Sequence, residues 1–146
     1  FGEGIGAGIY LDNHLIRGST GISGEIGHIM VNNKENLQDF VSNHHLQQAL
    51  EEGVDLSGHP AISQIGTTLA TIAAVINPKM FVLGGPMTKY PQFIPAIIKQ
   101  IQPQLFNKVS FIPSNAPNYA PLNGVQAGTY ELALSSFGLP SPPEAE

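Results

Sequence analysis

The stretch GEGIGAGIYLDNHLIRG, residues 2–18, decides the fold of this chain. Residues 5–11 are small or apolar, and residues 14–17 are suited to return as a second strand. Asp12 and Asn13, which stand between the two segments, favour a two-residue turn of the primed type. The stretch therefore predicts a β-hairpin.

Beyond the hairpin, the spacing of apolar residues predicts helices that alternate with short buried strands. The clearest helix covers residues 60–76, because its apolar residues recur at spacings of 3 and 4 and Pro60 suits a first turn. The apolar run 80–83 precedes Gly84-Gly85-Pro86 and predicts a central strand that ends in a tight turn. Further helices are predicted at residues 37–50, 94–105 and 122–132, and further strands at 28–31 and 109–112. This order predicts an α/β fold with helices covering a mixed sheet.

The composition indicates one globular domain. The chain has 146 residues, of which 42% are hydrophobic and 12% are charged, and this length is sufficient to bury one core. We expect the domain to cover residues 1–138 and the proline-containing tail 139–146 to be disordered. Because Phe1 lies directly beside the glycine-rich stretch, we expect the chain to be a fragment whose N-terminal part is missing.

The charge and the cysteine content argue against several classes of protein. The formal net charge is −5 and no Lys/Arg cluster occurs, so the chain offers no basic surface for nucleic acid or an anionic membrane. Cysteine is absent, which excludes disulfides and thiolate metal sites. No apolar run approaches the roughly 20 residues that cross a bilayer. We expect a cytoplasmic protein that does not bind a membrane.

Several motifs, in the same order and spacing, resemble the ROK family of bacterial repressors and sugar kinases. The strongest are the glycine-rich stretch at residues 2–9, Arg17-Gly18, and GEIGH at 24–28. The resemblance continues through LQDFVS at 37–42, NP at 77–78, VLGG at 82–85 and NGVQAG at 123–128. It implies the actin-like, ribonuclease-H-like fold of the sugar kinases, of which this chain would be the C-terminal lobe.

The resemblance also implies a sugar site. Glu25 and His28 would hydrogen-bond sugar hydroxyls, and the short turn between them allows both polar tips to converge on one ligand. Gln38 stands where the family usually has a Glu that helps to hold the sugar, and an amide can still bond hydroxyls. The alternative interpretation is an exposed Glu beside a structural His.

The same resemblance implies a nucleotide site if the protein is a kinase. Gly4 and Gly6 would approach the phosphates, and Gly84 and Gly85 would lie beside the adenine, although packing and turn formation explain such glycines equally well. Active kinases of the family usually carry Gly-Thr-Gly where this chain has Glu3 between two glycines. A carboxylate near phosphates is repulsive, so ATP is expected only under the kinase alternative.

No metal is expected. The family's usual zinc site combines the His of the GEIGH motif with three cysteines, and VNNKEN at residues 31–36 replaces the cysteine loop here. The neighbouring residues His44 and His45 have no partner at helical spacing that would complete a metal site. We expect both on a solvated helix surface.

Three functional hypotheses follow. The first is a non-catalytic, sugar-binding effector domain of a homodimeric repressor of the xylose or N-acetylglucosamine type, which would contact DNA only through a helix-turn-helix in another segment. The second is the C-terminal half of an ATP-dependent, glucokinase-like sugar kinase whose catalytic Asp lies elsewhere. The third is a degenerate scaffold that dimerises and binds no ligand. The isoleucine stripes at 62–76 and 94–101 are expected in the core, with a dimer seam as the alternative.

Overall fold

The computed structural model describes residues 1–114. Its strands are β1 (Ile9–Leu11), β2 (His14–Ile16), β3 (Met80–Leu83) and β4 (Ser110–Pro113). Its α-helices are α1 (Leu37–Asn43), α2 (Leu46–Glu51), α3 (Pro60–Ile76) and α4 (Phe93–Ile101). Short 3-10 helices cover Ile26–His28, Pro86–Lys89 and Gln102–Gln104. The predicted helix 122–132 and the tail 139–146 lie outside the described residues.

The predicted hairpin is confirmed. β1 and β2 pair antiparallel, with Ile9 opposite Ile16. Asp12 and Asn13 have φ of 49° and 60°, the positive values that a primed two-residue turn requires. β1 begins later than expected because the segment before it bonds elsewhere, with the amide of Ala7 donating to a carbonyl in the loop after the hairpin.

The other strands form a second small sheet. β3 and β4 pair in parallel, with α4 in the connection between them, and the rings of Phe81 and Phe111 stack at 5.5 Å. Residues 1–114 therefore hold two two-stranded sheets instead of one mixed sheet. The expectation that residues 80–83 are buried throughout is wrong, because Leu83 is buried while Val82 is 60% exposed.

The strand predicted at residues 28–31 is also wrong. The chain forms the 3-10 helix Ile26–His28 there, and Met30 makes only a single bridge to Asn36. Met30 is 60% exposed. The apolar run at residues 28–31 does not extend into a strand because the adjoining segment 31–36 folds back on itself. The amide of Leu37 donates to Ile29 O at 2.8 Å, which closes the loop around the single bridge.

The helix predicted over residues 37–50 is divided into α1 and α2. Leu37 and Val41 form one buried pair and Leu46 and Leu50 another, but Leu46 stands five positions after Val41. At about 100° per residue, that spacing would turn Leu46 roughly 140° away from Val41 on a continuous helix. A break allows both pairs to be buried, and the chain makes it at His45, whose φ is 52°.

The helices α3 and α4 supply eight of the seventeen buried hydrophobic residues in the described part of the chain. α3 begins at Pro60 as predicted and buries Ile62 and Ile65, while Phe93 and Ile97 of α4 are fully buried. Gly66 allows the helices to approach closely, because a Cβ there would lie 2.8 Å from Cβ of Gln100. The expectation that the isoleucine stripes lie in the core is confirmed for Ile62, Ile65, Ile97 and Ile101, whereas the other isoleucines of the stripes are only partly buried, namely Ile72, Ile76, Ile94 and Ile98. Within residues 1–114 we find no helix with the length and apolarity that a membrane span requires.

Candidate functional site

A cleft of about 480 Å³ lies between the N-terminal segment and the broken helix α1–α2. Its floor is apolar and is formed by buried side chains, namely Ile5, Val41, Leu46 and Met87. Its wall carries hydroxyl, imidazole and amide groups of Gln38, Ser42, His45, Gln47 and Gln48, and two carboxylates, of Glu3 and Glu51. An apolar base with several polar groups around it is typical of a small-molecule site.

Gln38 connects this cleft to the GEIGH turn. Its Oε1 atom accepts a hydrogen bond from Ile5 N at 3.3 Å. The same oxygen would lie 3.2 Å from a Cβ placed on Gly27 and 3.3 Å from one placed on Gly4, so the side chain runs against both glycines. Within residues 1–114 no group accepts a hydrogen bond from its Nε2 atom. That donor therefore remains available to a ligand hydroxyl.

Glu25 directly precedes the 3-10 helix that contains Gly27, and His28 is the last residue of that helix. Their polar tips converge as the spacing predicted, with 4.0 Å between Glu25 Oε2 and His28 Nε2. The side chains are 61% and 73% exposed, respectively, so neither has a structural role in the core. Neither lines the cleft itself. The structure thus places two of the predicted sugar residues on an open turn and the third, Gln38, between that turn and the cleft.

The two segments whose glycines are predicted for a nucleotide are joined through Phe1. Phe1 N donates to Gly84 O at 2.8 Å, and Met87 N donates to Phe1 O at 3.3 Å. The segment that contains Gly4 and Gly6 is thereby held against the turn at Gly84-Gly85. Gly6 has no atom within 4 Å of an added Cβ, so its backbone is open to approach.

The residues around His28 do not fit a zinc ion. Among residues 1–114 no three His, Asp or Glu side chains come together in a way that could hold a metal ion, although Glu25 Oε2 lies 4.0 Å from His28 Nε2. A closed zinc site needs about four ligands. Hydrogen bonds of Glu35 close the loop at residues 31–36, which follows His28 in the chain.

The expectation that both neighbouring histidines lie on a solvated surface holds for His45, which is exposed, and is wrong for His44. His44 is half-buried, donates from Nδ1 to Phe40 O at 2.9 Å and stacks on the Phe40 ring. His45 lines the cleft because the helix breaks there. Burial, with a smaller contribution from His44, lowers the pKa of His59, which precedes α3. The spacing of five positions between Val41 and Leu46 is the sequence signal that could have predicted a helix break at His45.

The comparisons with known proteins agree with these motifs. The sequence model of the ROK family matches residues 1–43, which include the glycine-rich stretch, the GEIGH motif and Gln38. An uncharacterized protein of Clostridium perfringens (strain 13 / Type A) is 30% identical over 132 residues, a match that covers 74% of this chain and 44% of that protein.

Solved structures show the fold. A ROK family glucokinase from Streptomyces griseus, in complex with glucose and AMPPNP, matches 85% of this chain with a TM-score of 0.68 at 19% identity. A putative sugar kinase from Cytophaga hutchinsonii matches 89% with a TM-score of 0.66 at 20% identity. A ROK family protein from Streptococcus pneumoniae TIGR4, in complex with sucrose, matches 89% with a TM-score of 0.59 at 20% identity. The predicted actin-like sugar kinase fold is confirmed.

The chain spans only part of each of these proteins. It corresponds to 56%, 56% and 57% of the three solved chains and to 44% of the curated relative. At a sequence identity near 20%, these similarities establish the fold of the chain and not its ligands.

Proposed function

We propose, from the premise that this chain belongs to the ROK family, that it is the sugar-binding part of a ROK repressor and has no catalytic activity of its own. The effector would be a neutral monosaccharide, bound where the GEIGH turn meets the cleft. The protein would act as a homodimer, and its contact with DNA would be made by a helix-turn-helix in another segment.

The position of Gln38 carries the proposal. A sugar presents many hydroxyls that both donate and accept, so a site needs both kinds of partner close together. Gln38 offers a donor at the junction, Glu25 offers an acceptor on one side, and Ser42 offers a hydroxyl on the other. The apolar floor of the cleft complements the carbon-bearing face of a sugar ring.

The charges of the cleft favour an effector domain over a kinase. Glu3 and Glu51 line it, and no Lys or Arg of the described residues does. A sphere of the cleft's volume is about 10 Å across, which is close to one Debye length at physiological salt. Salt would therefore only partly screen the repulsion between a bound phosphate and the two carboxylates. A neutral sugar avoids this repulsion.

The kinase alternative has its own support. Phe1, which precedes the glycine-rich segment, bonds Gly84 of the other predicted nucleotide segment, and the similar solved structures include a glucokinase with AMPPNP. In this alternative another segment would supply the Asp that deprotonates the attacking hydroxyl. ATP would then be the cofactor, whereas the effector hypothesis needs none.

Calorimetric titration and a phosphoryl-transfer assay separate the two functions. We expect the full-length protein to bind one of xylose, glucose and N-acetylglucosamine, and to release no ADP from ATP when that sugar is present. The physical reason is the repulsion between Glu3 and the phosphates, so Glu3→Thr should make ATP binding measurable. The control is Asp39→Asn, which removes an exposed carboxylate of α1 outside the cleft. Sugar-dependent ADP release would establish the kinase instead.

We also propose that folding requires no zinc. Elemental analysis of the purified protein should find zinc far below one ion per chain, because His28 has too few ligands beside it. A stoichiometric zinc whose removal lowers the melting temperature would contradict this.

A further inference from the structure

The loop at residues 31–36 is closed by a network of hydrogen bonds centred on Glu35. Its Oε2 atom accepts from Asn32 Nδ2 at 2.9 Å, and its Oε1 atom accepts from Asn43 Nδ2 at 2.7 Å. The backbone of the same residue participates, since Val31 N donates to Glu35 O at 3.0 Å. One carboxylate thus joins the start of the loop to the last residue of α1.

The amide of Asn32 cannot reverse its orientation without cost. Its Oδ1 atom accepts from both Lys34 N and Glu35 N at 2.8 Å, which leaves Nδ2 directed at the carboxylate. Position 35 is therefore required to accept from Asn32. A carboxylate accepts from Asn32 and Asn43 with two separate oxygens, whereas a glutamine has one oxygen and one amide donor. In agreement, the bonds from Asn32 and then Asn43 lower the pKa of Glu35, with smaller contributions from His44 and Lys34.

The two ends of this network belong to the two halves of the proposed site. The loop follows the Glu25–His28 turn directly, and Leu37 N ties its far end back to Ile29 O. Asn43 is followed by the break at His45, which lines the cleft. A group that holds Asn32 and Asn43 therefore sets the distance between the turn and the cleft wall.

We propose that Glu35 is a positioning residue, which holds the GEIGH turn and the α1–α2 corner in register by bonding Asn32 and Asn43. The inference rests on the proposed sugar site for its functional consequence. Glu35 contacts no ligand in this arrangement, and its effect on binding passes through the geometry of His28 and His45.

The test compares Glu35→Gln and Asn43→Ala with Asn33→Ala, a change in the same loop outside the network. A Gln keeps the size of Glu35 but presents a donor to one of the two asparagines, so we expect about fivefold weaker sugar binding in both network variants and no change in Asn33→Ala. The double variant Glu35→Gln/Asn43→Ala should weaken binding less than the product of the single effects, because the two residues act through one bond.

A second measurement does not depend on sugar. The amides of Val31 and Leu37 should lose hydrogen-exchange protection in Glu35→Gln and Asn43→Ala while amides in α3 keep it, and the imidazole NMR signals of His28 and His45 should shift together. If these signals and the exchange rates match those of Asn33→Ala, the positioning role is refuted whatever the protein binds. If they change but the unmodified protein binds no sugar, the proposed function fails and the network stands.

Discussion

Gly24→Ala is expected to destabilise the protein by about 3–5 kcal/mol. Gly24 has φ of +94°, and a Cβ there would lie 1.8 Å from Ala7 O. The same backbone stretch holds the hydrogen bond from Ala7 N to Gly24 O at 2.8 Å. The added methyl group must break that contact and separate the glycine-rich segment from the GEIGH turn. Denaturant unfolding measures the loss.

Gly21→Ala is the matched control. Gly21 also has a positive φ, of +83°, but a Cβ there meets no atom within 4 Å. It should therefore show only the cost of the backbone conformation, about 1–2 kcal/mol. Equal destabilisation by the two substitutions would mean that Gly24 does not fix the approach of the two segments.

Glu25→Ala is expected to weaken sugar binding by the full-length protein about 10- to 100-fold. A buried sugar hydroxyl that loses its acceptor costs about 1–3 kcal/mol, and each decade of affinity corresponds to about 1.4 kcal/mol. Because the Glu25 side chain is 61% exposed, stability should change little. Calorimetric titration measures the affinity, and thermal unfolding recorded in parallel measures the stability.

Asp39→Asn removes an exposed carboxylate of α1 outside the cleft and serves as the control for charge. It should bind sugar as the unmodified protein does. A folded Glu25→Ala protein that kept full affinity would remove the GEIGH turn from the site, and a loss of affinity that merely followed a loss of stability would do the same.

Sequence reasoning succeeded where one local signal determined the structure. Asp12 and Asn13 gave the turn of the hairpin, and Pro60 with regular apolar spacing gave α3. The motif at residues 24–28 indicated a converging Glu and His, and the family comparison covers that motif.

Sequence reasoning failed where distant contacts override local pattern. The apolar run from His28 to Val31 has the pattern of a strand. The chain instead turns back in a loop that hydrogen bonds of Glu35 close, and hydrophobic periodicity gives no signal for such bonds. His45 enters the cleft because two buried pairs of apolar residues cannot share one straight helix. The role of Gln38 as a link between turn and cleft depends on the approach of Gly4 and Gly27, which are distant in sequence.

Amide NMR spectra of the full-length protein, recorded during titration with xylose, glucose and N-acetylglucosamine, test the central claim most directly. The proposed site predicts that the effective sugar perturbs Gly27 and Gln38 most strongly, together with Ser42 and His45 on the cleft wall. Saturable perturbations confined to other residues, such as the hairpin β1–β2, would place the ligand elsewhere. Spectra unchanged by all three sugars at millimolar concentration would contradict sugar binding by this protein.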